Sequence, residues 1–409
     1  MSARDAFVRL CVATGFSNLA DGVGLVAVPL LAAQLTDDPL LVGTVAAVAY
    51  LPYLLLAAPI GVLVDRVERR RAMIAANLAR AGMLAILVVG LVADAATIWW
   101  LFVVAFGFST AECVFDNAVE ATVVELVPPE RLDHANARLQ TTMHVTNMFV
   151  GGPLGAALFA LGAAVPFGGQ ALGHLAAAGL IAGLPRRAAP ERAGGEGAAS
   201  AWRELRVGMR WLVGHARLRT LAVASGVMSL ATQLAQATIV LFVLDELAST
   251  ELAFGLLAMI AAVGAISGSM LAPVLAGAIG RTVAMRGAIV VQPVVIVGVG
   301  LAPDVLAAGA IYFVFSALVG VWNVLSVSLR QQLVPSELFG RVFGAWRTMV
   351  WGPVPVGAWL GGLVARSYGL RSPWFVGAGI FAVATIVAWP SLRAPEAQLP
   401  ASGSSASTL

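Results

Sequence analysis

Apolar positions run along this chain in long stretches, each interrupted by a short polar loop. A helix that crosses a bilayer needs about 20 mostly apolar residues, and about a dozen stretches meet that requirement. They cover residues 8–34, 41–64, 72–93, 98–124, 139–161, 165–184, 219–244, 252–277, 284–302, 304–329, 340–365 and 373–391. The pattern therefore predicts an all-α polytopic membrane protein with twelve transmembrane helices.

Composition agrees with this pattern. Of the 409 residues, 59% are hydrophobic and only 11% are charged, with a mean hydropathy of +0.89. A soluble domain does not need so much apolar surface. Cys11 and Cys113 both fall within predicted spans, so we expect them to act as small packing residues and not to form a disulfide.

The basic residues predict the orientation. All 25 are arginines, and an even number of spans places both termini on one side of the membrane. Only Arg366 and Arg371 fall on the opposite side, so the positive-inside rule predicts cytoplasmic termini. The pI near 9.3 reflects these basic residues, which suit contact with anionic lipid headgroups, and it does not indicate nucleic-acid binding. The absence of lysine, with abundant Ala, Arg and Gly, suggests a high-GC bacterium and hence its cytoplasmic membrane.

The longest polar interruption divides the predicted spans into six and six. Its first part is rich in Gly, Ala and Pro, which is typical of a flexible linker. From Trp202 onward, apolar residues recur at helical spacing among arginines, which predicts an amphipathic helix on the inner membrane surface. We predict a six-helix bundle over 1–184, a cytoplasmic linker over 185–218, a second six-helix bundle over 219–393 and a disordered tail over 394–409.

The two halves share an internal repeat. The stretch "LVPPERLDHANARLQTTM" (126–143) aligns without gaps on "LVPSELFGRVFGAWRTMV" (333–350), an offset of 207 residues from Leu126 to Leu333. A repeat of half the chain predicts two bundles related by pseudo-symmetry, with a binding site between them near the middle of the bilayer. Paired glycines four residues apart predict close helix contacts. These pairs are Gly151 with Gly155, Gly264 with Gly268, and Gly357 with Gly361.

The fourth predicted span carries a row of acids in "AECVFDNAVEA" (111–121). Glu112, Asp116 and Glu120 are four residues apart, so they lie on one face of a helix. A carboxylate at bilayer depth costs about 2.5–3.5 kcal/mol on insertion scales. Glu120 is close enough to the end of the span to reach the membrane interface, but the two deeper acids need partners or a cavity.

Other ionisable residues lie at matching depths in neighbouring spans. Arg80 reaches the depth of Asp116, which predicts an Arg80–Asp116 ion pair, either functional or purely structural. Asp21 lies near the level of Glu112, and two carboxylates at one depth repel each other when both are ionised. This chemistry suits a proton carrier. Asp21, Glu112 and Asp116 are therefore the predicted proton-coupling residues.

The loop after the second span, "GVLVDRVERRR" (61–71), resembles the signature loop of the major facilitator superfamily, G-x-L-x-D-R-x-G-R-R. Glu68 stands where that family usually has Gly. The resemblance implies a cytoplasmic gate, whereas a plain stop-transfer cluster would explain the arginines alone. The implied gate residues are Gly61, Asp65, Arg66, Arg69 and Arg70.

Further stretches resemble the bacterial drug-exporter branch of this superfamily, which includes macrolide and enterobactin exporters. They are "SNLADGVGLVAVPLLAAQLTDDP", "LPYLLLAAPIGVLVDR" and "LVPPERLDHANARLQ". In the superfamily's fold, helices 1, 4, 7 and 10 line a central cavity, and polar residues of the fifth span are further candidates. The cavity residues implied here are Asn18, Asn117, Asn147, Gln233, Gln236, Trp322 and Asn323.

These observations favour a secondary transporter that exports an amphipathic small molecule and is driven by protons. The expected partners are that substrate, protons and the lipid bilayer, and we expect a monomer. Uptake or facilitated diffusion, and a membrane sensor without transport, remain open as alternatives. No cofactor, metal site or catalytic residue is predicted. The chain has no lysine for a Walker loop, and its four histidines lack metal-ligand spacing.

Overall fold

The structure, a computed structural model, describes residues 3–128, 131–185, 198–335 and 338–392. Helices make up almost all of this part, and no strand occurs in it. The α-helices are α1 (Ala3–Leu35), α2 (Pro39–Leu55), α3 (Ala57–Arg66), α4 (Arg69–Val92), α5 (Ile98–Leu126), α6 (Leu132–His144), α7 (Gly152–Ala160), α8 (Val165–Ala182), α9 (Ala198–Gly214), α10 (Ala216–Gln236), α11 (Ile239–Leu241), α12 (Glu251–Ile279), α13 (Arg281–Gly300), α14 (Val305–Leu333), α15 (Phe339–Trp351), α16 (Val354–Tyr368) and α17 (Ser372–Ala388).

Most of these helices can cross a membrane. In the described part, 9 spans are long and apolar enough, and a bent pair that includes α10 and α11 raises the number to 10. Two shorter apolar helices, α2 and α17, are the remaining candidates for the twelve predicted spans. Large apolar side chains such as Val89, Val103, Leu172 and Leu306 are exposed on the outside of the bundle, as lipid contact requires.

Several spans are broken for local reasons. A π-helical turn, Val145–Gly151, joins α6 to α7, and a second one, Phe242–Glu246, follows α11. Such π-helical turns are rare in proteins, and those that occur are often found at functional sites.

The start of α2 has a regular cap, because the Asp38 side chain accepts a hydrogen bond from the Leu40 amide and Pro39 occupies the first turn.

The helix boundaries repeat with the offset found in the sequence. Helices α5 and α14 both have 29 residues, and they begin 207 residues apart, at Ile98 and Val305. Helices α6 and α15 both have 13 residues and show the same offset, from Leu132 to Phe339. Equivalent helices also pack alike: α1 packs on α8 as α10 packs on α17, and α4 packs on α5 as α13 packs on α14.

The glycine pairs let helices approach closely, as predicted. A Cβ atom added at Gly155 would lie 2.5 Å from the Val23 carbonyl oxygen of α1. In the other half, one added at Gly361 would lie 2.2 Å from the Leu234 carbonyl oxygen of α10. Gly268 packs equally closely on α14. Close backbone contact thus holds α1 to α7, and α10 to α16, in the same manner.

The two halves meet at one end of the bundle. We call the end where α1 begins and α17 ends the terminal end, and the opposite end, where α2 begins, the far end. At the far end α2 packs on α16, and α7 packs on α12. Gly43 and Gly362 lie in the first of these contacts, and Arg366 forms an ion pair with Asp38 at 3.5 Å.

The linker contains the predicted helix. In α9, Leu205, Met209 and Leu212 pack into the hydrophobic core, and the helix lies against α15. Part of the apolar face is therefore covered by protein, while Val207 and Val213 of the same helix are exposed. The position of the helix at the membrane surface stays a prediction. The first part of the linker and the predicted tail (394–409) lie outside the described residues, and the predicted domain boundaries stay a prediction.

Candidate functional site

A cavity of about 1390 Å³ lies between the two halves. Near the far end its wall includes Ala32 and Val42, and toward the terminal end it includes Glu120, Gln140 and Gly344. The cavity thus runs along most of the bundle. Because the halves pack on each other mainly at the far end, the two walls of the cavity are joined there.

Most of the predicted site residues line this cavity. The sequence suggested that the two deeper acids on α5 need partners or a cavity, and both line this cavity; Glu120, expected to reach the membrane interface, also lies in the lining. The lining residues that had been predicted are Asp21, Glu112, Asp116, Asn117, Asn147, Gln233 and Gln236.

Three predicted cavity residues do not belong to the described lining. Asn18 is buried, and its amide donates to the Thr14 carbonyl oxygen of the preceding turn. Trp322 is buried among apolar side chains, and Asn323 is exposed outside the lining. The prediction was wrong for these residues because depth along a helix does not determine which face of the helix points inward.

The charge of the lining is divided unequally between the halves. Its described carboxylates, including Glu120, all come from α1 and α5 in the first half. Among the described lining residues, the second half contributes neutral polar groups such as Gln233 and Gln236, and one cation, Arg347 of α15. Asp116 and Arg347 approach closely enough to interact electrostatically across the cavity.

Arg80 pairs with Asp21 and not with Asp116, which corrects the prediction. Its Nη1 atom lies 3.1 Å from Oδ1 and 3.3 Å from Oδ2 of Asp21, and the Arg80 side chain is fully buried. Helix α4 passes between α5 and α8, and α8 also packs on α1. The predicted depth of Arg80 matched that of Asp116, but its position around the helix axis directs it to Asp21 on α1.

Three further polar side chains complete a buried cluster with this ion pair. Nη2 of Arg80 donates to Ser17 Oγ at 3.0 Å and to Asn77 Oδ1 at 3.1 Å. His174 of α8 contacts Asn77 Oδ1 through Nδ1 at 3.1 Å, and its Nε2 lies 3.5 Å from Asp21 Oδ1. We call Ser17, Asp21, Asn77, Arg80 and His174 the buried polar cluster.

Aromatic rings cover the apolar side of this cluster. The Arg80 guanidinium lies 4.8 Å from the ring centroid of Phe115 and 5.5 Å from that of Phe108. Phe108 also packs edge-on against the His174 ring, at 5.4 Å between centroids. Ring faces stabilise a buried cation, so the guanidinium is held by both carboxylate and aromatic groups.

Glu112 lies beside this cluster on the cavity wall. Its carboxyl group interacts with the Tyr53 hydroxyl of α2 and with the charge of Arg80. Asp21, Glu112 and Asp116 are close enough to interact electrostatically with one another. The three acids therefore form one electrostatic unit with the buried Arg80.

The arginines of the predicted gate loop bind helix ends of their own half. Arg69 forms an ion pair with Glu125 and donates to the Ala121 carbonyl oxygen at 3.2 Å. Arg70 donates to the carbonyl oxygens of residues 181 and 182 at the end of α8, where a cation complements the helix dipole.

The other gate residues have simpler surroundings. Arg66 is exposed. Gly61 faces the cavity residue Asn117, because a Cβ atom added there would lie 3.9 Å from the Asn117 Oδ1 atom. The side chain of Asp65 lies outside the description. The gate function itself stays a prediction.

Ser17, Asn77, His174 and Arg347 were not identified from the sequence. A signal existed for two of them: Ser17 lies four residues before Asp21, and Asn77 three before Arg80, so each shares a helix face with a charged residue. His174 is the only histidine of α8, and Arg347 is one of two arginines of α15; neither carries a comparable signal.

Comparison with known proteins identifies the architecture. The profile of the Major Facilitator Superfamily matches residues 10–353. A search of the curated proteins finds no match to this sequence.

Several solved structures share the fold. A bacterial homologue of the iron transporter ferroportin, in an inward-facing state, superposes with a TM-score of 0.76 at 15% identity, covering 96% of this chain and 100% of the other. A nucleoside transporter gives 0.72 at 16% identity, with 95% and 100% covered. An inward-facing bacterial homologue of the human lysosomal transporter Spinster gives 0.71 at 12% identity, with 96% and 97% covered.

At these identities the solved structures establish the fold and not the substrate. They confirm the predicted all-α, polytopic membrane architecture. The family profile covers well over half of the chain and includes the loop that carries the signature motif. The chain therefore belongs to the Major Facilitator Superfamily, as a multi-pass membrane protein with a transporter fold.

Proposed function

We propose that this protein is a secondary active transporter that exports an amphipathic small molecule across the bacterial cytoplasmic membrane, driven by inward proton flow. The observation that carries the proposal is the cavity between the halves, with Asp21, Glu112 and Asp116 on one wall. Ionisable residues at this depth of a membrane protein are costly, and they mark substrate or proton pathways.

We infer that a transmembrane proton gradient, and not ATP, supplies the energy for transport. The chain contains no lysine, so it has no Walker loop for ATP. Binding of a proton to one of the acids on the cavity wall changes the net charge of the group by one. That change alters how favourably the cavity can be exposed to either side of the membrane, which couples proton movement to the conformational change.

The packing of the halves supports alternating access. The halves are joined at the far end by the contact between α2 and α16 and by the Asp38–Arg366 ion pair. With cytoplasmic termini, as the arginine distribution predicts, the structure represents an inward-facing state. Export requires a second state in which the far end opens and the terminal end closes, with the gate loop moving toward the second half.

The cavity lining favours an amphipathic cargo. Leu25, Val28, Tyr50 and Phe315 contribute apolar surface, while Gln233 and Gln236 provide neutral hydrogen-bonding groups. A mostly apolar pocket with a few convergent polar groups is typical of sites for organic small molecules. The export direction rests on the resemblance to drug exporters. Uptake by the same alternating motion is the second candidate, and a sensor without flux is the third.

Transport by purified protein in liposomes tests this function. Liposomes carrying the protein, with the inside acidified, are given a fluorescent amphipathic dye, and its accumulation is followed before and after addition of an uncoupler. We expect accumulation that the uncoupler abolishes. Accumulation that is insensitive to the uncoupler would exclude proton coupling, and no flux with any of a panel of dyes and antibiotics would favour the sensor. Liposomes of the same lipid without protein are the control, because they measure the passive accumulation of the dye in the acidified interior.

A further inference from the structure

We propose that His174 and Asp21 form a binding site for a single proton, held between Nε2 of the histidine and Oδ1 of the aspartate. The proposal rests on the proposed function, because it names the groups that hold the coupled proton. Among the three predicted proton-coupling acids, it assigns proton binding to Asp21, together with a histidine that no sequence pattern indicated.

The orientation of the Asn77 amide is fixed by its neighbours. Its Nδ2 atom donates to the Met73 carbonyl oxygen at 3.1 Å, so Oδ1 points toward Arg80, Ser17 and His174. The reverse orientation would bring the amide NH₂ against the Arg80 guanidinium, which can only donate. Asn77 Oδ1 is therefore an acceptor for all three neighbours.

This orientation fixes the tautomer of His174. Nδ1 of the ring lies 3.1 Å from Asn77 Oδ1 and must carry a hydrogen to make that contact. In the neutral imidazole only one ring nitrogen carries a hydrogen. Nε2 is thus the nitrogen that gains or loses a proton, and the hydrogen bond at Nδ1 persists in both states.

Nε2 faces a second acceptor in a buried place. It lies 3.5 Å from Asp21 Oδ1 and has no hydrogen-bond partner among the described residues. The His174 side chain is fully buried. Without a proton, a nitrogen lone pair and a carboxylate oxygen would face each other at this distance, which is unfavourable where water cannot separate them. One proton between them removes the conflict and gives both atoms a partner.

The site has access to the cavity on one side only. Asp21 lines the cavity, whereas His174 lies behind it and is absent from the described lining. A proton therefore enters through Asp21 and is held on the protected side. The charged and titratable groups that face this site are Arg80 from α4, and Glu112 and Asp116 from α5.

Arg80 also explains why the site takes one proton and not two. It donates to both oxygens of Asp21, so the carboxylate is already partnered on that side, and the guanidinium cannot itself release a proton under ordinary conditions. The proton that binds and dissociates is therefore the one at the remaining contact, between Asp21 Oδ1 and His174 Nε2.

Nitrogen NMR of histidine tests the site without any transport measurement. The protein is labelled with ¹⁵N-histidine, placed in nanodiscs and titrated from about pH 5 to about pH 9, and the His174 signals are identified by their loss in His174→Asn. We expect Nδ1 to stay protonated throughout while Nε2 titrates. In Asp21→Asn, the Nε2 titration should shift by at least about one pH unit. A ring protonated at Nε2 alone, or a ring whose signals do not change with pH, would overturn the proposal.

Two substitutions at His174 separate proton binding from packing. In His174→Asn, the amide NH₂ can still donate a hydrogen bond to Asn77 Oδ1, but no atom takes the place of Nε2. In His174→Gln, the amide NH₂ lies near Asp21 and donates at every pH. In His174→Asn we expect the pH dependence of dye transport to fall below about twofold over the titrated range, with normal folding by size-exclusion chromatography. His144→Asn, at an exposed position of α6, is the matched control and should keep the wild-type pH profile.

The outcomes distinguish this site from the proposed function. An Nε2 titration that Asp21→Asn shifts, together with transport that ignores the uncoupler, would support the site and exclude proton-driven export. Uncoupler-sensitive transport with an unchanged pH profile in His174→Asn would support the function, overturn this site and leave Glu112 or Asp116 as the proton carrier.

Discussion

Arg80 and Asp21 form a two-point ion pair in the interior of the first half, with Nη1 within 3.1 and 3.3 Å of the two carboxylate oxygens. Arg80 is completely buried, so its charge depends on this partner, and the rings of Phe108 and Phe115 cover much of the remaining surface. The pair therefore belongs to the stability of the bundle as well as to any role in transport.

Asp21→Asn should destabilise the protein because it leaves a buried guanidinium without its bound carboxylate. Breaking a buried pair on one side costs about 3–5 kcal/mol. The double variant Asp21→Asn with Arg80→Met should recover most of that loss, because no buried charge remains. Thermal unfolding in detergent measures both, and strictly additive losses in the double variant would show that the two side chains do not depend on each other.

The close contact between Gly22 and Asn147 predicts a second, independent effect. A Cβ atom at Gly22 would lie 2.1 Å from the Asn147 carbonyl oxygen, so Gly22→Ala should push α1 away from the π-helical turn and lower the unfolding temperature. Gly179→Ala is the matched control, since nothing lies within 4 Å of its added Cβ. Helix propensity alone should make that control neutral or more stable by up to about 1 kcal/mol. Equal effects of the two substitutions would contradict the packing.

The far-end contact predicts a variant that opens the cavity to the other side. An added Cβ at Gly43 would lie 2.8 Å from the Ala358 carbonyl oxygen, so Gly43→Leu should keep α2 and α16 apart. A cysteine introduced at Gln236 on the cavity wall, in a chain without Cys11 and Cys113, reports access for a membrane-impermeant thiol reagent applied to whole cells.

We expect Gly43→Leu to raise the labelling rate of that cysteine by at least about tenfold, because a shift of about 1.4 kcal/mol between two conformations changes their ratio tenfold. Gly277→Leu, a substitution with nothing within 4 Å of the added Cβ, is the control. Unchanged labelling in Gly43→Leu would indicate that this contact does not close the far end.

The row of acids on α5 predicts graded effects on transport. Glu112→Gln and Asp116→Asn remove charge next to the buried polar cluster, so each should reduce uncoupler-sensitive dye transport by roughly tenfold or more. Glu120→Gln, at the exposed end of the row, should retain most of the activity. Initial rates in liposomes, corrected for the amount of inserted protein, measure the three variants. A loss in Glu120→Gln as large as in Glu112→Gln would place the critical acid near the terminal end.

The sequence was sufficient to predict the fold because the features that define it follow the order of residues along the chain. The apolar stretches, the arginine asymmetry and the 207-residue offset between Leu126 and Leu333 can all be read along the chain, and the equal lengths of α5 and α14 follow the same offset. The depth of each ionisable residue was also accessible, at about 1.5 Å per residue of helix.

The rotation of each helix was not accessible in the same way. Arg80 lies at a depth compatible with Asp116, yet it faces α1. Asn18 and Asn323 belong to the expected helices, but they point away from the cavity lining. Which faces meet depends on packing between distant segments, such as the approach of Gly155 to Val23. A single sequence does not specify that packing directly.

The unequal charge of the two walls has an evolutionary consequence. Among the described lining residues, every acid belongs to the first half, while the second half offers Gln233, Gln236 and one arginine. Mutations that reshape the recognition surface of the second half can therefore accumulate without disturbing the groups assigned to energy conversion. Under the proposed function, the substrate range can therefore change through substitutions in the second half while the proton-coupling residues of the first half are conserved.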